Sequence, residues 1–415
     1  MAQAGPQGRR LLLLAFGFCL VAAVFRFPRL GVPREEVFDE VYHAKTALEY
    51  LHGLPPTEWV HPPTAKLLIA AGVKAFGYHS WAWRLAPAIA GTLLAPVFFL
   101  LGRRVLPTER AAILATVLLL ADGVYLVQSR IAMTNIFAVL FQVAAALAVL
   151  SAAVPLRLSA GWMIAAGAAL GLALSTRWTS LFAWGFLLLV FAGLRQRRLA
   201  CPREALLGAL AFVVLPLALY LVSYLPWMLQ GHTLAETVGL QRAIWRYHAD
   251  LRADHPYFSN WYPWPWLYRP TWYHFKADGI VVRGILAVGN PALWWASVPA
   301  AALALLSCRR RVNPPLLFAG AGFFALYLPW GLSPRTLNFS HYLFEAIPYA
   351  CLCLGFFLDR HWTGPFGPLA RGYLVLAILL FVMLFPMLTA YPVPQWMFFD
   401  GIHGARPWTW FPTWI

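Results

Sequence analysis

Long apolar stretches recur along the whole chain, and no polar block large enough for a soluble domain separates them. A helix that crosses a membrane needs about 20 predominantly apolar residues. The pattern therefore predicts an all-α polytopic membrane protein that forms a single membrane domain over residues 1–415. The predicted spans number about eleven and cover residues 11–27, 84–102, 111–128, 131–153, 160–176, 178–194, 205–226, 290–307, 315–331, 341–358 and 370–391.

The composition agrees with this interpretation. Of the 415 residues, 61% are hydrophobic and 12% are charged, about half the charged share of soluble domains, which excludes a soluble globular protein. The first apolar stretch follows Arg9 and Arg10, and no A-x-A-like cleavage site precedes Phe27, so we expect an uncleaved first span. The five cysteines form no CxxC pair and no disulfide framework, so no structural disulfide is predicted.

The excess of positive charge is best explained by membrane topology. Lys and Arg number 32 against 16 Asp and Glu, a formal charge of +16. With the N-terminus in the cytoplasm, the clustered arginines fall on the cytoplasmic connections, as the positive-inside rule requires. The C-terminus is then outside, and no nucleic-acid partner is predicted. These arginines are Arg103, Arg104, Arg110, Arg157, Arg195, Arg197, Arg198, Arg203, Arg309, Arg310, Arg311 and Arg360.

Two outer connections, residues 28–83 and 227–289, are too long to be simple turns, and loops of this length usually carry function. Tyr42–Leu51 and Ala65–Phe76 in the first loop are predicted to be short amphipathic helices, and the second loop is crowded with Trp and Tyr, which favour the membrane interface. We expect an active site in a cavity under these loops, at the outer leaflet. The first loop holds six of the sixteen acids: Glu35, Glu36, Asp39, Glu40, Glu49 and Glu58.

The adjacent acids Asp39 and Glu40 are the first chemical signal. Such a pair can simply be a solvated surface. Here it opens a predicted helix beside a span, so one carboxylate can cap the helix while the other points into a cavity, where partial desolvation would raise its pKa and suit it as a base. The following His61-Pro-Pro-Thr-Ala-Lys66 segment fixes the entry to the next helix. Lys66 fits either this site or interfacial snorkelling.

Arginines on the outer side are the second signal. Arg130, in the short turn between the third and fourth spans, departs from the positive-inside pattern, and its guanidinium fork suits bidentate binding of a phosphate. Arg177 is a second such cation, equally consistent with an interfacial anchor. No pair of histidines has the H-E-x-x-H spacing of a zinc site, so no metal and no cofactor are predicted.

Taken in order, these motifs resemble the protein O-mannosyltransferases, above all their bacterial branch. The resemblance runs through nearly the whole chain: the Asp-Glu pair, His-Pro-Pro-x-x-Lys, Gln128-Ser-Arg, a Trp-Pro segment before Arg269, and Asn338–Pro348. It implies the GT-C glycosyltransferase fold with two long extracytoplasmic loops. It also implies inverting transfer of mannose from a polyprenyl-phosphate donor to Ser or Thr hydroxyls of proteins, in a bacterial-type plasma (inner) membrane.

Carried across residue by residue, the resemblance implies that Asp39 is catalytic, with Glu40 beside it in the acceptor site. Arg130, joined by Arg177, would hold the donor phosphate. The family usually has Leu-Asp where this chain has Thr134-Asn135, so a carboxylate expected near Arg130 is an amide here. The other residues expected at the cavity are His61, Lys66, Asn135, His341 and Tyr342.

Two other functions fit parts of the pattern. An enzyme of the same fold that moves another lipid-phosphate-linked sugar, such as an aminosugar, to a lipid or glycan acceptor would carry similar acids and arginines. A transporter of lipid-linked sugars would instead need ionisable residues along a path through the bilayer. Only Asp122 and Glu345 lie within spans, near their outer ends, so the sequence favours chemistry at one face.

Overall fold

A computed structural model describes residues 6–154, 158–196, 201–401 and 406–414. Arg157, Arg197 and Arg198, which support the predicted topology, lie outside the described residues. The described α-helices are α1 (Pro6–Arg26), α2 (Glu40–Leu51), α3 (Thr64–Phe76), α4 (Ser80–Val105), α5 (Glu109–Leu120), α6 (Gly123–Gln128), α7 (Asn135–Ala153), α8 (Ala160–Leu174), α9 (Ser180–Arg195), α10 (Pro202–Ala209), α11 (Leu215–Ser223), α12 (Leu225–Leu229), α13 (Leu234–Asp250), α14 (Pro291–Ser307), α15 (Pro314–Tyr327), α16 (Ile347–Arg360), α17 (Gly367–Leu388) and α18 (Gln395–Phe399).

Each predicted apolar span contains one or more of these helices, which confirms the helical membrane fold. Within the described residues, six helical segments are long and apolar enough to cross a membrane: α1, α4, α7, Pro202–Ser223, Pro314–Leu332 and α17. Only 11%, 17% and 28% of the apolar windows of α1, Pro202–Ser223 and α17 are buried in the protein. These three segments therefore present apolar side chains to lipid. The count of eleven spans stays a prediction.

The first outer loop folds as predicted into two short helices. α2 packs on α3, and α3 packs on the outer half of α4. Buried apolar residues of α2 and α3, such as Ala44 and Ile69, join one continuous core with the spans. This packing fixes the start of α2 over the outer ends of the spans.

A break between α5 and α6 shapes the outer turn that follows. Asp122 is fully buried and caps α6, because its Oδ1 accepts a hydrogen bond from the Tyr125 amide at 2.8 Å. Its Oδ2 accepts from the Trp294 indole at 2.6 Å and from the Asn290 amide at 3.1 Å. Asp122 thus connects α6 to the start of α14. This is a structural role, and not that of a residue on a transport path through the bilayer.

The second outer loop is folded, although the sequence predicted only a long aromatic connection. Thr233 and Glu236 form a capping box at the start of α13. Strands β1 (Thr271–Ala277) and β2 (Val281–Ala287) pair as an antiparallel hairpin, and β3 (Val393–Pro394) pairs antiparallel with β2. The molecule is therefore mainly α-helical, with one small sheet built from the second long loop and residues near the C-terminus.

Candidate active site

A cavity of about 590 Å³ lies beneath the two outer loops. Its walls come from the start of α2, the segment before α3, the start of α7, the α8–α9 turn, the end of α13 and the segment before α16. The lining residues with polar or ionisable side chains that could take part in chemistry are Asp39, His43, Glu58, His61, Asn135, Arg177, Tyr247, His248, His255, Arg335, His341 and Tyr342.

Asp39 lies at the N-cap position of α2, yet its carboxylate makes no capping hydrogen bond and lines the cavity. The preceding Phe38 has a φ of +50°, a strained conformation for a bulky residue, and its ring stacks on Tyr273 with centroids 4.2 Å apart. Burial, the largest cause, raises the pKa of Asp39 above its usual value, against the opposing charges of His43, Arg177 and Arg335. The site therefore holds a desolvated carboxylate suited to act as a base.

Glu40 does not line the cavity, which corrects the prediction that it lies beside Asp39 in that site. It is fully buried and forms a bidentate pair with Arg84, with Nε–Oε1 and Nη2–Oε2 distances of 2.8 and 2.6 Å. Its carboxylate also accepts hydrogen bonds from the amides of Val37 and Ala132. Every oxygen lone pair is thus engaged inside the protein, and Glu40 anchors the first loop to α4 and to the 129–134 turn.

Lys66 lies behind the cavity wall and does not line it. Its ammonium is completely buried and donates hydrogen bonds to the Glu58 carboxylate, to the Glu58 carbonyl at 2.7 Å and to the His61 carbonyl at 2.8 Å. Burial alone would raise the pKa of Glu58, but Lys66 and His61 hold it well below its usual range. Lys66 therefore fixes an anionic Glu58 from behind the wall, which corrects the prediction that Lys66 lies at the cavity itself.

His61 lines the cavity, as predicted. Its Nδ1 lies 2.7 Å from Oε1 of Glu58, and its ring packs between those of His43 and His248, with centroids 6.2 and 5.3 Å away. Burial lowers the pKa of His61 to about 3, against the charge of Glu58. His61 is therefore a neutral imidazole near neutral pH.

Arg177 lines the cavity next to Asn135, the residue that the resemblance placed near Arg130. Its Nη1 donates to Oγ1 of Thr134 at 3.0 Å and to Oδ1 of Asn135 at 3.1 Å, and its Nε lies 3.6 Å from Oε1 of Glu345. The guanidinium also lies over the ring of Tyr342, 5.3 Å from its centroid. The Asn135 amide is thus the partner of Arg177 and not of Arg130.

Arg130 lies outside the cavity, which corrects its assignment as the phosphate ligand. Its Nη1 donates to the carbonyl groups of Phe25, Arg26 and Pro28 at 3.1, 2.6 and 2.9 Å, and its Nη2 donates to that of Arg29 at 3.2 Å. Phe25 and Arg26 form the C-terminal end of α1, where free carbonyl groups make a cation favourable, and Pro28 and Arg29 follow directly. Both terminal nitrogens of Arg130 are thus used at the end of α1.

Arg335 is a cavity residue that sequence reasoning missed. Its Nη1 lies 3.3 Å from Nδ1 of His248, and its buried Nε has no hydrogen-bond partner in the described part of the chain. The signal was present, because Arg335 also lies in a short outer connection against the positive-inside pattern. The predicted residues His341 and Tyr342 line the cavity next to it, with Tyr342 stacked on Trp330 at 4.8 Å between centroids.

A mainly apolar groove of about 350 Å³ opens from this cavity. The cavity and the groove share four lining residues, namely His61, Arg177, His248 and Arg335. Beyond them the groove is walled by residues such as Leu181 and Leu332, which are 50% and 88% exposed. The groove is therefore open at the protein surface, and the two arginines lie where it meets the cavity.

One group of residues in the described ranges has the composition of a metal site. His43, Glu58 and His61 offer ligand atoms within 4.8 Å of one another. His43 Nδ1 lies 2.8 Å from the Ala132 carbonyl, which leaves Nε2 as the free ring nitrogen. The ammonium of Lys66 already pairs with the Glu58 carboxylate. The negative charge that a metal ion would neutralise is therefore already balanced by Lys66.

The fold is that of a membrane-embedded glycosyltransferase of the GT-C class. The whole chain superposes on 93% of the chain in a structure of the Saccharomyces cerevisiae protein O-mannosyltransferase Pmt1-Pmt2 complex bound to the sugar donor, with a TM-score of 0.82 at 14% identity. It also resembles ArnT from Cupriavidus metallidurans bound to undecaprenyl phosphate, with a TM-score of 0.59 at 18% identity over 92% of this chain and 73% of that one.

Sequence comparison then identifies the family. The family model described as dolichyl-phosphate-mannose-protein mannosyltransferase matches residues 17–80 and 77–228, and that of the C-terminal four-span region of protein O-mannosyltransferases matches residues 233–414. The chain belongs to the protein O-mannosyltransferase family. It is 28% identical to a polyprenol-phosphate-mannose–protein mannosyltransferase of Mycobacterium tuberculosis, over 100% of this chain and 94% of the relative. It is 27% identical to that of Mycolicibacterium smegmatis, over 90% and 89%.

Proposed function

We propose that this enzyme transfers mannose, with inversion, from a polyprenyl-phosphate donor to Ser or Thr hydroxyl groups of proteins at the extracytoplasmic face. Family membership supports mannose transfer to protein from a lipid-linked donor. The observation that carries the mechanism is the junction of the cavity that holds Asp39 with a mainly apolar groove, and Arg177 and Arg335 line both.

The bound donor extends through both the groove and the cavity. Its polyprenyl chain lies in the apolar groove, its phosphate lies at Arg177 and Arg335, and its sugar lies in the cavity toward Asp39. Two guanidinium groups can each give a phosphate paired, charge-assisted hydrogen bonds. They also stabilise the charge that develops on the phosphate as it leaves, which is where electrostatic catalysis is most effective.

The reaction is a single displacement. The Asp39 carboxylate accepts the proton of the acceptor hydroxyl as that oxygen forms a bond to the anomeric carbon. The bond from this carbon to the phosphate oxygen breaks, and its electron pair leaves with polyprenyl phosphate. Attack from the face opposite the phosphate inverts the anomeric configuration. A raised pKa at Asp39 makes its carboxylate a stronger base than an exposed aspartate.

We also propose that transfer needs no divalent metal. His43, Glu58 and His61 have metal-ligand chemistry, but Lys66 neutralises Glu58 internally, and Arg177 and Arg335 supply positive charge for the phosphate. A metal ion would add two charges to a site already rich in cations. Activity is therefore expected to survive dialysis against EDTA. Loss of activity that Mg²⁺, Mn²⁺ or Zn²⁺ restores would contradict this proposal.

The orientation in the membrane belongs to the same proposal. The positive-inside distribution supports a cytoplasmic N-terminus and an extracytoplasmic C-terminus. A reporter fused after Ile415 should lie outside, and one inserted between Arg195 and Arg203 should lie inside. If both reporters lie on the same side of the membrane, the predicted topology is wrong, and the cavity can no longer be placed at the outer face.

The direct test supplies purified enzyme with polyprenyl-phosphate mannose and a Ser/Thr-containing peptide, with the matched Ala peptide as control. Mass spectrometry should find one added hexose on a hydroxyl side chain of the first peptide only. NMR of the product should show the anomeric configuration opposite to that of the donor. Hexose found on lipid with none on peptide would favour the alternative of a lipid acceptor, and retention of configuration would exclude the single displacement.

A further inference from the structure

A second cavity, of about 440 Å³, lies at the outer end of α4, away from the catalytic centre. It shares no lining residue with the catalytic cavity. The residues that line it are Gly31, Arg34, Tyr78, His79, Ser80, Trp81 and Trp83.

Unused hydrogen-bond donors converge on this cavity. The 26-residue α4 begins there, and the His79 side chain at its N-cap makes no capping hydrogen bond. The Ala82 N–H donates to the His79 carbonyl at 2.9 Å, so the N–H groups of Ser80 and Trp81 and the positive end of the helix dipole are left for an anion. Arg34 is exposed and has no acidic partner in the described ranges. Trp83 is only 4% exposed, and its buried indole N–H has no acceptor among the described residues.

Gly31 keeps the space over the first turn of α4 open. A Cβ atom at this position would lie 3.3 Å from Oγ of Ser80 and 3.8 Å from the backbone nitrogen of Trp81. Any side chain here would therefore fill the cavity directly above the free amide groups.

An apolar track leads from the cavity along α4. Trp81, Ile89 and Leu93 are 39%, 45% and 45% exposed. They lie eight and four residues apart, on one side of the helix, and cover about 18 Å along its axis. Phe76 and Tyr78 beside the cavity are also exposed, as expected of aromatic residues at a membrane interface. A ligand that matches both features has an anionic head group and an apolar tail.

We propose that this cavity binds the phosphate head group of an outer-leaflet glycerophospholipid, with its acyl chains along α4. Arg34, the α4 N-terminus and the Trp83 indole would bind the phosphate. The nearby acid Glu36 does not line the cavity, and its carboxylate accepts a hydrogen bond from the Tyr78 hydroxyl. Such a lipid would hold the first loop, which carries Asp39, at a fixed depth in the membrane. The site is independent of the sugar and acceptor proposed above.

Native mass spectrometry of the full-length protein in detergent tests this site with added phosphatidylglycerol. Arg34→Gln removes the cation, and Gly31→Ala places a methyl group over the first turn of α4 without changing charge. Arg34→Gln should weaken phosphatidylglycerol binding about fivefold, the effect of one interfacial arginine, and Gly31→Ala should weaken it as well. The matched control Lys74→Gln removes an exposed cation at the end of α3 that does not line the cavity, and it should leave binding unchanged.

Diacylglycerol and inorganic phosphate test whether binding depends on the phosphate head group of an intact lipid. Diacylglycerol, which lacks the phosphate, should not bind at this site, and inorganic phosphate at millimolar concentration should not displace the lipid. Unchanged phosphatidylglycerol binding in both Arg34→Gln and Gly31→Ala, with monodisperse protein, would overturn the proposal. Equal binding of diacylglycerol, or displacement by inorganic phosphate, would overturn it as well.

Discussion

Arg177 donates a hydrogen bond from Nη1 to Oδ1 of Asn135, 3.1 Å away, so a neutral amide stands beside this cation at the edge of the catalytic cavity. An amide oxygen orients a guanidinium but does not neutralise it. Glu345 is the one carboxylate within salt-bridge distance of Arg177 in the described ranges, at 3.6 Å, and it also accepts hydrogen bonds from Gln142 and Thr179. The positive charge of Arg177 is therefore balanced only in part by nearby acids, as the proposed contact with the donor phosphate requires.

Asn135→Asp tests this arrangement, because it introduces the carboxylate that the family pattern usually has. A negative charge beside Arg177 would offset the attraction for phosphate, and unit charges ~8 Å apart interact by about 2 kcal/mol at an effective dielectric constant of about 20. We expect the donor KM to rise about tenfold or more, with the acceptor KM unchanged. Steady-state kinetics with each substrate varied will show this, and an unchanged donor KM would remove Asn135 from phosphate binding.

Arg177→Lys and Arg335→Lys keep the charge but lose the guanidinium fork. Each should raise the donor KM and lower turnover, by roughly tenfold in kcat/KM, because charge-assisted hydrogen bonds to the phosphate are lost. Arg130→Lys is the comparison, since Arg130 caps α1 and does not line the cavity. It should lower the Tm and leave the donor KM near the wild-type value. A raised donor KM in Arg130→Lys, with normal donor kinetics in the other two variants, would instead assign phosphate binding to Arg130.

The sequence predicted most of the framework and part of the site. The spans, α2, α3 and the cavity position of Asp39 followed from apolar periodicity and from acids next to a span. Arg130 was assigned wrongly because an outer arginine that binds helix carbonyl groups and one that faces a ligand look alike in sequence. Arg335 lies in a short predicted outer connection, as Arg177 does, but its contact with the cavity residue His248 spans 87 residues of the chain, and a single sequence does not reveal such contacts.

Glu40→Gln tests the structural role of the second acid. It leaves Arg84 buried without its counter-charge, and breaking a buried ion pair typically costs about 3–5 kcal/mol. A clear fall in Tm is expected, while the folded enzyme keeps its acceptor KM. Glu35→Gln, at an exposed acid of the same loop, should change neither value. A raised acceptor KM with a normal Tm would place Glu40 in the acceptor site after all.

The pH dependence of kcat/KM should carry the signature of Asp39. Its carboxylate must be deprotonated to act as base, and burial raises its pKa, so activity should fall as the pH drops through a value above ~4, the usual aspartate pKa. His61 does not produce this limb, since burial lowers its pKa to about 3. A profile that is flat down to pH 4 would contradict a desolvated catalytic carboxylate.

The most direct test of the mechanism is single-turnover transfer by Asp39→Asn with donor bound at saturation. Asparagine keeps the size of the side chain, and the Asp39 carboxylate makes no capping hydrogen bond that the substitution could remove, so the protein should fold and bind donor normally. It cannot accept the proton, so the rate of transfer should fall at least ~10²-fold. Asp254→Asn, at an exposed acid outside the cavity lining, is the matched control and should transfer at the wild-type rate. A wild-type rate in Asp39→Asn would contradict the assignment of Asp39 as the base.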